Sequence, residues 1–311
     1  MRILCTGGAG YLGAVLVPML LEHGHDIDVV DTFQHKMPSL LAHCHNTRLQ
    51  IHNFDVRDWR RLRPLFIKSD IIIPLAALVG APLCDRDTWA AETINAGTIK
   101  WICEGAEKEQ TIIYPNTNSG YGTGGTKPCT EDSPINPLSL YARTKANAEN
   151  AVLNHPQGIS FRFATLFGCS PRMRLDLLVN DFTYRAVRDR ALTLFEGSFR
   201  RNYLHVRDAA SVFLFAIENA EEKKMFGEAF NVGLSSANLN KRELCQKIAD
   251  HVPEFVYNEA PVGMDKDKRD YIVSNAKIQR LGYLPKHTLD DGIQELIKAF
   301  AMPLESGYRN T

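Results

Sequence analysis

RILCTGGAGYLG, residues 2–13, is a short apolar run that leads directly into a turn with glycines at positions 7, 10 and 13. Glycine allows a tight turn and lets the backbone approach a pyrophosphate, and a helix that starts there offers free N–H groups to phosphates. The stretch therefore predicts a strand, a turn of Gly7, Gly10 and Gly13, and a helix. Together these would hold a dinucleotide, with Tyr11 and Leu12 beside it.

Two acidic residues follow the next apolar runs. Asp31 ends the second run, eighteen residues after Gly13. A carboxylate there would bind the adenosine ribose hydroxyls and repel a 2′-phosphate, which favours NAD over NADP as the cofactor. Asp55, with Val56, follows the third run. It would either contact the adenine or cap the N-terminus of the next helix, and the sequence leaves both interpretations open.

Apolar runs and amphipathic stretches alternate through the first half of the chain. They predict strands at 2–6, 26–31, 49–54, 70–75, 111–115 and 159–164, and helices at 11–23, 55–67, 90–109 and 139–153. This alternation predicts an α/β fold, a Rossmann-type doubly wound parallel sheet with helices on both faces. After Phe167 the rhythm changes. We therefore expect an NAD-binding domain at 1–168 with a return near 206–234, and a smaller C-terminal substrate-binding lobe at 169–205 and 235–311.

Composition excludes several classes of function. Lys+Arg and Asp+Glu both number 36, and this balance argues against a nucleic-acid binder, which needs a basic surplus. The apolar start is broken by glycines and no apolar run approaches the roughly 20 residues of a membrane helix, so we expect neither a secretory signal nor a membrane anchor. Seven scattered cysteines without a CxxC pair suggest reduced thiols and a cytoplasmic location. No metal site is predicted, because His43-Cys44-His45 lacks a second ligand pair at zinc spacing.

Tyr141 and Lys145 form a YxxxK pair on a predicted helix, where residues four apart share a face. A phenol titrates near about 10 and is a poor base at neutral pH, but a neighbouring ammonium favours the phenolate. Tyr141 could then take the proton from a hydroxyl while hydride leaves the same carbon. Upstream, the predicted strand at 111–115 leads into a hydroxyl-rich loop, in which Thr117 is the candidate for orienting the substrate.

These features together resemble the extended short-chain dehydrogenase/reductase family of nucleotide-sugar epimerases, dehydratases and dehydrogenases, over nearly the whole chain. The resemblance rests on the glycine turn, the acid after the second strand, the hydroxyl loop that ends in Tyr121-Gly122, and YxxxK. It implies that Lys145 also holds the nicotinamide ribose and that Leu75-Ala76-Ala77 lies beside the cofactor. It further implies a largely structural Asn95 close to the cofactor, and a homodimer.

The chain departs from the family pattern at several positions. Pro74 stands where a His is frequent, and Thr165 replaces an Asn that commonly contacts the substrate diphosphate. The 4,6-dehydratases of the family carry Thr-Asp-Glu in the hydroxyl loop, but here the triplet is Thr117-Asn118-Ser119. Elimination of water lacks its proton carriers without the two acids, so we discount a dehydratase and assign Asn118 and Ser119 to substrate binding.

Several side chains of the second half are candidates for the substrate diphosphate: Arg172, Arg174, Asn180, Arg201 and Arg269. Arg201 lies in a run that resembles the family's Arg-x-Tyr-x-His-Val-x-Asp, and Arg269 resembles a second phosphate-binding arginine. The planar guanidinium matches pairs of phosphate oxygens. A solvated surface cluster is the alternative for each arginine, whereas we expect His205 to pack in the interior.

Four stretches, at 70–84, 114–122, 172–184 and 233–239, resemble one subgroup, the GDP-heptose 4-dehydrogenases of bacterial capsule heptose pathways. The leading hypothesis is therefore NAD-dependent oxidation of the C4 hydroxyl of a nucleotide-activated sugar to a 4-keto sugar. A 4-epimerase of the UDP-glucose type shares the first half-reaction and remains open. A non-catalytic NAD-binding regulator is the third reading, although this chain keeps both Tyr141 and Lys145.

Overall fold

The computed structural model describes residues 1–125, 127–260 and 269–302. The segments 261–268 and 303–311 of the predicted substrate-binding lobe lie outside these residues. Within the described ranges, no helix combines the length and apolar character needed to cross a membrane. Those same ranges contain no group of three or more His, Cys, Asp or Glu side chains arranged to hold a metal ion.

The strands are labelled in chain order. They are β1 (Arg2–Thr6), β2 (Asp26–Asp31), β3 (Leu49–Asn53), β4 (Ile71–Pro74), β5 (Thr111–Thr117), β6 (Gly158–Phe163), β7 (Thr165–Phe167), β8 (Ala191–Leu194), β9 (Arg200–His205), β10 (Glu228–Val232), β11 (Asn238–Asn240) and β12 (Val256–Glu259). Seven of them form one parallel sheet in the order β3-β2-β1-β4-β5-β6-β10. The predicted Rossmann-type sheet is confirmed, and all six strands expected in the first half are present. Smaller sheets join β11, β9 and β7, and β12 and β8.

The helices are also labelled in chain order. They are α1 (Gly13–Glu22), α2 (Trp59–Phe66), α3 (Ala81–Arg86), α4 (Thr88–Glu92), α5 (Thr98–Gly105), α6 (Leu140–Leu153), α7 (Leu178–Arg188), α8 (Val206–Asn219), α9 (Lys241–Ala249), α10 (Ala276–Arg280) and α11 (Leu289–Phe300). The helix predicted at 90–109 is wrong in detail. A π-helical turn at Thr93–Gly97 interrupts it, and its last turn ends at Gly105.

The N-terminus of α2 corrects one sequence interpretation. Asp58 caps this helix, since its side chain accepts a hydrogen bond from the backbone N–H of Arg61 at 3.3 Å. Asp55 is not the cap, so that alternative is wrong. Its carboxylate instead accepts from both the backbone N–H and the guanidinium of Arg57. These bonds with Arg57 hold the pKa of Asp55 below its usual value.

The central sheet is covered on both faces, as the apolar strands predict. Ile3 and Cys5 of β1 pack in the cluster under α1 and α8, whereas Leu4 packs in the cluster under α2 and α5. Successive strand side chains point to opposite faces, so each layer of helices buries alternate residues. Full burial of one such aliphatic side chain contributes about 1.5–3 kcal/mol. A separate apolar cluster holds β9, α7, α9 and α11 together.

The carboxyl edge of the sheet collects the candidate residues. β1 has β2 on one side and β4 on the other, so the strand order reverses at β1. Ligands of open α/β sheets bind in the crevice at such a switch point. The glycine turn follows β1, Asp31 ends β2, Leu75 follows β4, and Thr117 ends β5. Parallel strands therefore bring the predicted cofactor and substrate groups to one edge.

Candidate active site

The three glycines of the turn are required for different reasons. Gly7 has φ +70°, and a Cβ on it would lie 2.5 Å from the backbone N of Ala76. A Cβ on Gly13 would lie 2.5 Å from the carbonyl oxygen of Gly8. A Cβ on Gly10 would meet only the carbonyl oxygen of Gly7, at 3.1 Å. Gly7 and Gly13 therefore allow the chain to pack, whereas Gly10 leaves open space above the turn that a dinucleotide phosphate would fit.

Asp31 is held directly beside this turn. Its carboxylate accepts hydrogen bonds from the backbone N–H groups of Ala9 at 3.0 Å and Phe33 at 2.9 Å. The end of β2 is thereby tied to the glycine turn, which is the placement expected for an acid that binds the adenosine ribose. Val56, by contrast, is buried among apolar side chains. The cofactor contacts of Asp31, Asp55 and Val56 remain predictions.

Tyr11 joins the turn to the second half of the chain. Its hydroxyl donates to the carbonyl of Gly168 at 2.7 Å, and Leu12 packs against the apolar clusters on both sides. Asn180 lies fully buried next to this contact between Tyr11 and Gly168. It accepts from the N–H of Gly168 at 3.0 Å and donates to the carbonyl of Arg174 at 2.8 Å. The amide of Asn180 thus fixes the protein's own backbone, and its predicted substrate contact stays a prediction.

The segment Leu75-Ala76-Ala77 leaves β4 and runs along the glycine turn. Asn95, in the π-helical turn, binds the N–H and C=O of Leu78 at 2.8 and 3.0 Å and donates to the Thr144 hydroxyl at 3.3 Å. It therefore joins the loop after β4 to α6. This is the kind of structural role that the family resemblance implies.

Tyr141 and Lys145 lie on α6, which packs on β5 and on the 3₁₀ turn that begins directly after Thr117. Ser139 caps α6 and fixes the helix start two residues before Tyr141. The ammonium of Lys145 is buried and lies 4.0 Å from the centroid of the Tyr114 ring. The hydroxyls of Thr117 and Ser119 share a hydrogen bond of 2.8 Å. The helix and the strand that carry the predicted catalytic groups therefore meet at the carboxyl edge.

Burial dominates the ionisation of Tyr141 and Lys145. It raises the pKa of Tyr141 to about 12, although the charges of Arg174 and Arg269 act in the opposite direction. It lowers the pKa of Lys145 to about 7, and the charge of Glu149 opposes that shift. The lowered phenol pKa expected from the sequence is therefore not a property of the chain alone. Further positive charge next to the phenol is needed to favour the phenolate.

Replacement of Lys145 by Met should stabilise the protein, and more strongly at pH 6 than at pH 10. The folded-state pKa of about 7 lies below the unfolded value, which is about 10.4. The unfolded state therefore binds more protons between these values, so the cost of burying Lys145 is full below pH 7 and fades as the pH approaches 10.4. Urea unfolding at both pH values measures the effect.

Lys100→Met is the matched control, because Lys100 is an exposed lysine of α5 whose side chain is 72% accessible. Its free energy of unfolding should change little at either pH. An equal gain from Lys145→Met at pH 6 and pH 10 would show that Lys145 is not a destabilising buried charge.

The charges of Arg172 and Arg174 interact with predicted cofactor-binding and catalytic residues. Arg172 is 2% exposed, and Asp31 is among the charges that act on it. Arg174 forms an ion pair with Asp176, and its charge reaches both Arg172 and Tyr141. The two arginines thus contribute positive potential near Asp31 and Tyr141.

Arg201 and Arg269 are also brought together. Both charges act on the buried Tyr203, and Arg269 also acts on Tyr141. The guanidinium of Arg201 lies 5.8 Å from the centroid of the Tyr271 ring. A solvated surface cluster is the wrong interpretation for Arg201 and Arg172, because they are only 3% and 2% exposed. His205 is fully buried and bonds to Glu295, as its packing role predicts.

Asn118 has an unusual environment next to Thr117. It is 1% exposed, and neither atom of its amide has a hydrogen-bond partner among the described residues. A buried polar group without a partner costs about 1–3 kcal/mol. The amide can therefore donate to and accept from hydroxyl groups of a ligand, or of water, at the carboxyl end of β5.

Sequence reasoning missed a buried polar network centred on α6, the helix that carries the predicted catalytic residues Tyr141 and Lys145. Its centre is Glu149, which lies four residues beyond Lys145 and eight beyond Tyr141. This spacing on one helix face was the available signal. The partners of Glu149 come from separate strands, and spacing along the helix cannot reveal them.

Comparisons with known proteins identify the family to which the chain is similar. The sequence profile described as "NAD dependent epimerase/dehydratase family" matches residues 3–233. UDP-glucose 4-epimerase of Corynebacterium glutamicum is 26% identical and aligns with 93% of this chain and 92% of its own. UDP-glucuronic acid decarboxylase 1 of Danio rerio is 26% identical and aligns with 99% of this chain and 75% of its own.

Solved structures share the fold. UDP-glucuronic acid 4-epimerase from Bacillus cereus, in complex with UDP-glucuronic acid and NAD, superimposes with a TM-score of 0.83 at 22% identity and covers 97% of this chain and 99% of that one. dTDP-glucose 4,6-dehydratase from Bacillus anthracis, in complex with NAD, gives a TM-score of 0.79 at 22% identity over 97% of this chain and 96% of that one.

Proposed function

Since the chain belongs to the NAD dependent epimerase/dehydratase family, we propose that it oxidises the C4 hydroxyl of a nucleotide-activated sugar to a 4-keto sugar, with NAD as the oxidant. The resemblance to the extended short-chain dehydrogenase/reductase family is thereby confirmed, and it is a family of enzymes. The proposed reaction is that of a GDP-heptose 4-dehydrogenase. The observation that supports it is the packing of α6, which carries Tyr141 and Lys145, against β5 and the 3₁₀ turn at its carboxyl end, where Thr117 lies.

The residues at the switch point fit NAD. The open space above Gly10 and the N-terminus of α1 suit the pyrophosphate, and Asp31 suits the adenosine ribose. Lys145 would hold the nicotinamide ribose, with Leu75-Ala76-Ala77 beside the cofactor. When bound, oxidised NAD supplies a hydride acceptor and a positive charge. That charge is what the phenol of Tyr141 needs, since burial alone raises its pKa.

Residues of the chain then accept the substrate proton and orient the C4 hydroxyl. Tyr141 takes the proton from the C4 hydroxyl, and Thr117 holds that hydroxyl in line through its own hydroxyl group. Lys145 contributes positive charge next to the phenolate. General-base catalysis of this kind is typically worth about 10²–10⁴-fold in rate.

The substrate side favours an anionic, hydroxylated ligand. Arg172, Arg174, Arg201 and Arg269 provide positive charge for a diphosphate, and a guanidinium can bind phosphate oxygens in pairs. The amide of Asn118, together with Ser119, can bind sugar hydroxyls.

We also propose that 169–205 and 235–311 form the substrate-binding lobe, and that the protein is a cytoplasmic homodimer whose cysteines stay reduced.

A UDP-glucose-type 4-epimerase is the second candidate, favoured by the relative from Corynebacterium glutamicum. Both reactions begin with oxidation at C4, and an epimerase then returns hydride to the opposite face of the keto sugar. Product analysis with a panel of GDP-, UDP- and dTDP-sugars separates them: a keto sugar with reduced NAD indicates a dehydrogenase, and an inverted alcohol indicates an epimerase. NAD binding without turnover on any sugar would instead indicate a non-catalytic regulator.

Mass spectrometry of small molecules released from the denatured protein would name the bound nucleotide sugar.

Asp31→Asn should weaken the preference for NAD over NADP from about 100-fold or more to about tenfold, because it removes a charge that repels the 2′-phosphate. Asparagine can still accept one of the two backbone hydrogen bonds that hold this residue. Fluorescence titration with NADH and NADPH measures the ratio. Asp26→Asn, at the opposite end of β2, is the control and should leave the ratio unchanged. An unaltered ratio in Asp31→Asn would exclude a role for this carboxylate in cofactor choice.

A further inference from the structure

Glu149 is a buried carboxylate on the same helix face as the catalytic pair. Tyr141, Lys145 and Glu149 follow one another at intervals of four residues along α6, and such neighbours lie one turn apart. Lys145 and Glu149 are each 4% exposed. A buried carboxylate needs several hydrogen bonds to offset the loss of water, so the partners of Glu149 show what it holds in place.

Those partners come from neighbouring strands. The carboxylate accepts from the Asn116 amide at 2.6 Å, from the Ser160 hydroxyl at 2.6 Å, and from the Arg162 guanidinium at 2.7 and 3.1 Å. Asn116, Arg162 and Asn231 are register neighbours across β5, β6 and β10. Glu149 thus binds two members, Asn116 and Arg162, of a row of polar side chains that crosses the sheet near its carboxyl edge.

One branch of this network reaches the substrate-orienting residue. Asn116 donates to Glu149 through its nitrogen and accepts from the backbone N–H of Thr117 at 2.8 Å through its oxygen. The amide is therefore a direct bridge between the carboxylate and Thr117. Another branch runs from Arg162 to the Tyr121 hydroxyl at 3.1 Å and on to Asn231 at 2.7 Å, which fixes the end of the hydroxyl loop.

Glu149 also acts on Lys145 through its charge. Glu149 is the first of the neighbouring charges that favour the ammonium form of Lys145 against burial. Burial on its own would raise the pKa of Glu149, but Arg162, Ser160 and Asn116 hold it below the usual value. The carboxylate therefore stays ionised at neutral pH, and its negative charge is constantly present next to Lys145.

We propose that Glu149 is a positioning residue of the active site, which fixes Thr117 through Asn116 and places a buried negative charge one helical turn from Lys145. The inference rests on the proposed function, because it assigns a support to that function's catalytic groups. A purely structural ion pair would stabilise the fold and leave kcat of the folded protein unchanged. The proposal therefore requires two separable effects, one on the lysine and one on the threonine.

The electrostatic effect is tested with Glu149→Gln, which keeps hydrogen-bonding capacity and removes the charge. The readout is the titration of Lys145, followed by the ¹³Cε chemical shift in lysine-labelled protein and assigned with Lys145→Arg. We expect the midpoint to fall by about one pH unit or more, and kcat at pH 7 to fall about tenfold or more with little change in KM. Glu104→Gln, which removes an exposed charge on α5, should leave both quantities unchanged.

The positional effect is tested with Asn116→Ala, which breaks the bridge to Thr117 and leaves the carboxylate charged. We expect kcat to fall about tenfold while the Lys145 midpoint stays at its wild-type value. Wild-type turnover in Asn116→Ala would overturn the bridge. A wild-type Lys145 midpoint in Glu149→Gln would overturn the electrostatic role.

Arg162 is left as a buried charge in Glu149→Gln and could prevent folding. In that case Glu149→Gln/Arg162→Met removes both charges and should still lower the midpoint, whereas an unshifted midpoint would overturn the proposal. The NMR measurement does not depend on turnover. A wild-type protein that is inactive on every sugar would therefore refute the proposed function, whereas an unmoved Lys145 would refute the role of Glu149.

Discussion

Tyr141→Phe is expected to lower turnover by about 10²–10⁴-fold, because it removes the only atom of that side chain able to accept the substrate proton. The ring, its burial and its position on α6 are kept, so the fold and the affinity for NAD should be close to those of the wild type. Reduction of NAD, monitored at 340 nm with the best nucleotide sugar of the panel, measures the first quantity. Fluorescence titration with NADH measures the second.

Tyr114→Phe is the matched control for this loss. Tyr114 is buried, and its ring lies under the Lys145 ammonium. Among the described residues its hydroxyl makes one hydrogen bond, a long one of 3.4 Å to the Lys145 carbonyl, and phenylalanine keeps the ring. We expect this variant to retain most of the wild-type turnover. Full turnover in Tyr141→Phe would contradict the assigned base.

Gly7→Ala should abolish NAD binding and strongly destabilise the chain. A Cβ at this position would meet the backbone of Leu75 and Ala76 at 2.5–2.8 Å, and the φ of +70° is itself unfavourable for alanine. The end of β1 would have to separate from the segment after β4, so the switch point itself would be distorted. We expect a loss of NAD affinity of about 100-fold or more, together with a lower melting temperature.

Gly10→Ala separates binding from folding in the same turn. Its Cβ would meet only one backbone oxygen, at 3.1 Å, so the melting temperature should change little. The methyl group would nevertheless occupy the space proposed for the pyrophosphate, and NAD affinity should fall about tenfold or more. Calorimetric titration and thermal unfolding of both variants provide the comparison. Wild-type NAD affinity in Gly10→Ala would contradict the proposed phosphate position.

The fold could be predicted from sequence wherever one local pattern dominates. The inner strands β1, β4, β5 and β6 are rich in apolar residues, because both faces of the sheet are buried there. The bounds of β1 and β2 agree with prediction to the residue. The helix expected at 90–109 was less predictable. Its π-helical turn places Asn95 against Leu78 and Thr144, and these tertiary contacts leave no periodic signal.

The candidate site could be proposed from sequence as a set of residues, whereas its electrostatic environment could not. Glycine spacing and YxxxK identify Gly10, Tyr141 and Lys145, because those patterns follow from local geometry. The net pKa shift of Tyr141 depends on burial by elements far away in sequence. The surroundings of Glu149 could not be predicted for the same reason, since its hydrogen bonds come from Asn116 of β5 and Arg162 of β6.

The most direct measurement follows deuterium placed at C4 of a GDP-sugar substrate during a single turnover with NAD. Transfer of that deuterium to the nicotinamide, with formation of a 4-keto sugar in wild type and none in Tyr141→Phe, is the predicted result. Deuterium that remains at C4 throughout, with NAD never reduced for any nucleotide sugar tested, would contradict oxidation at C4 and with it the proposed reaction.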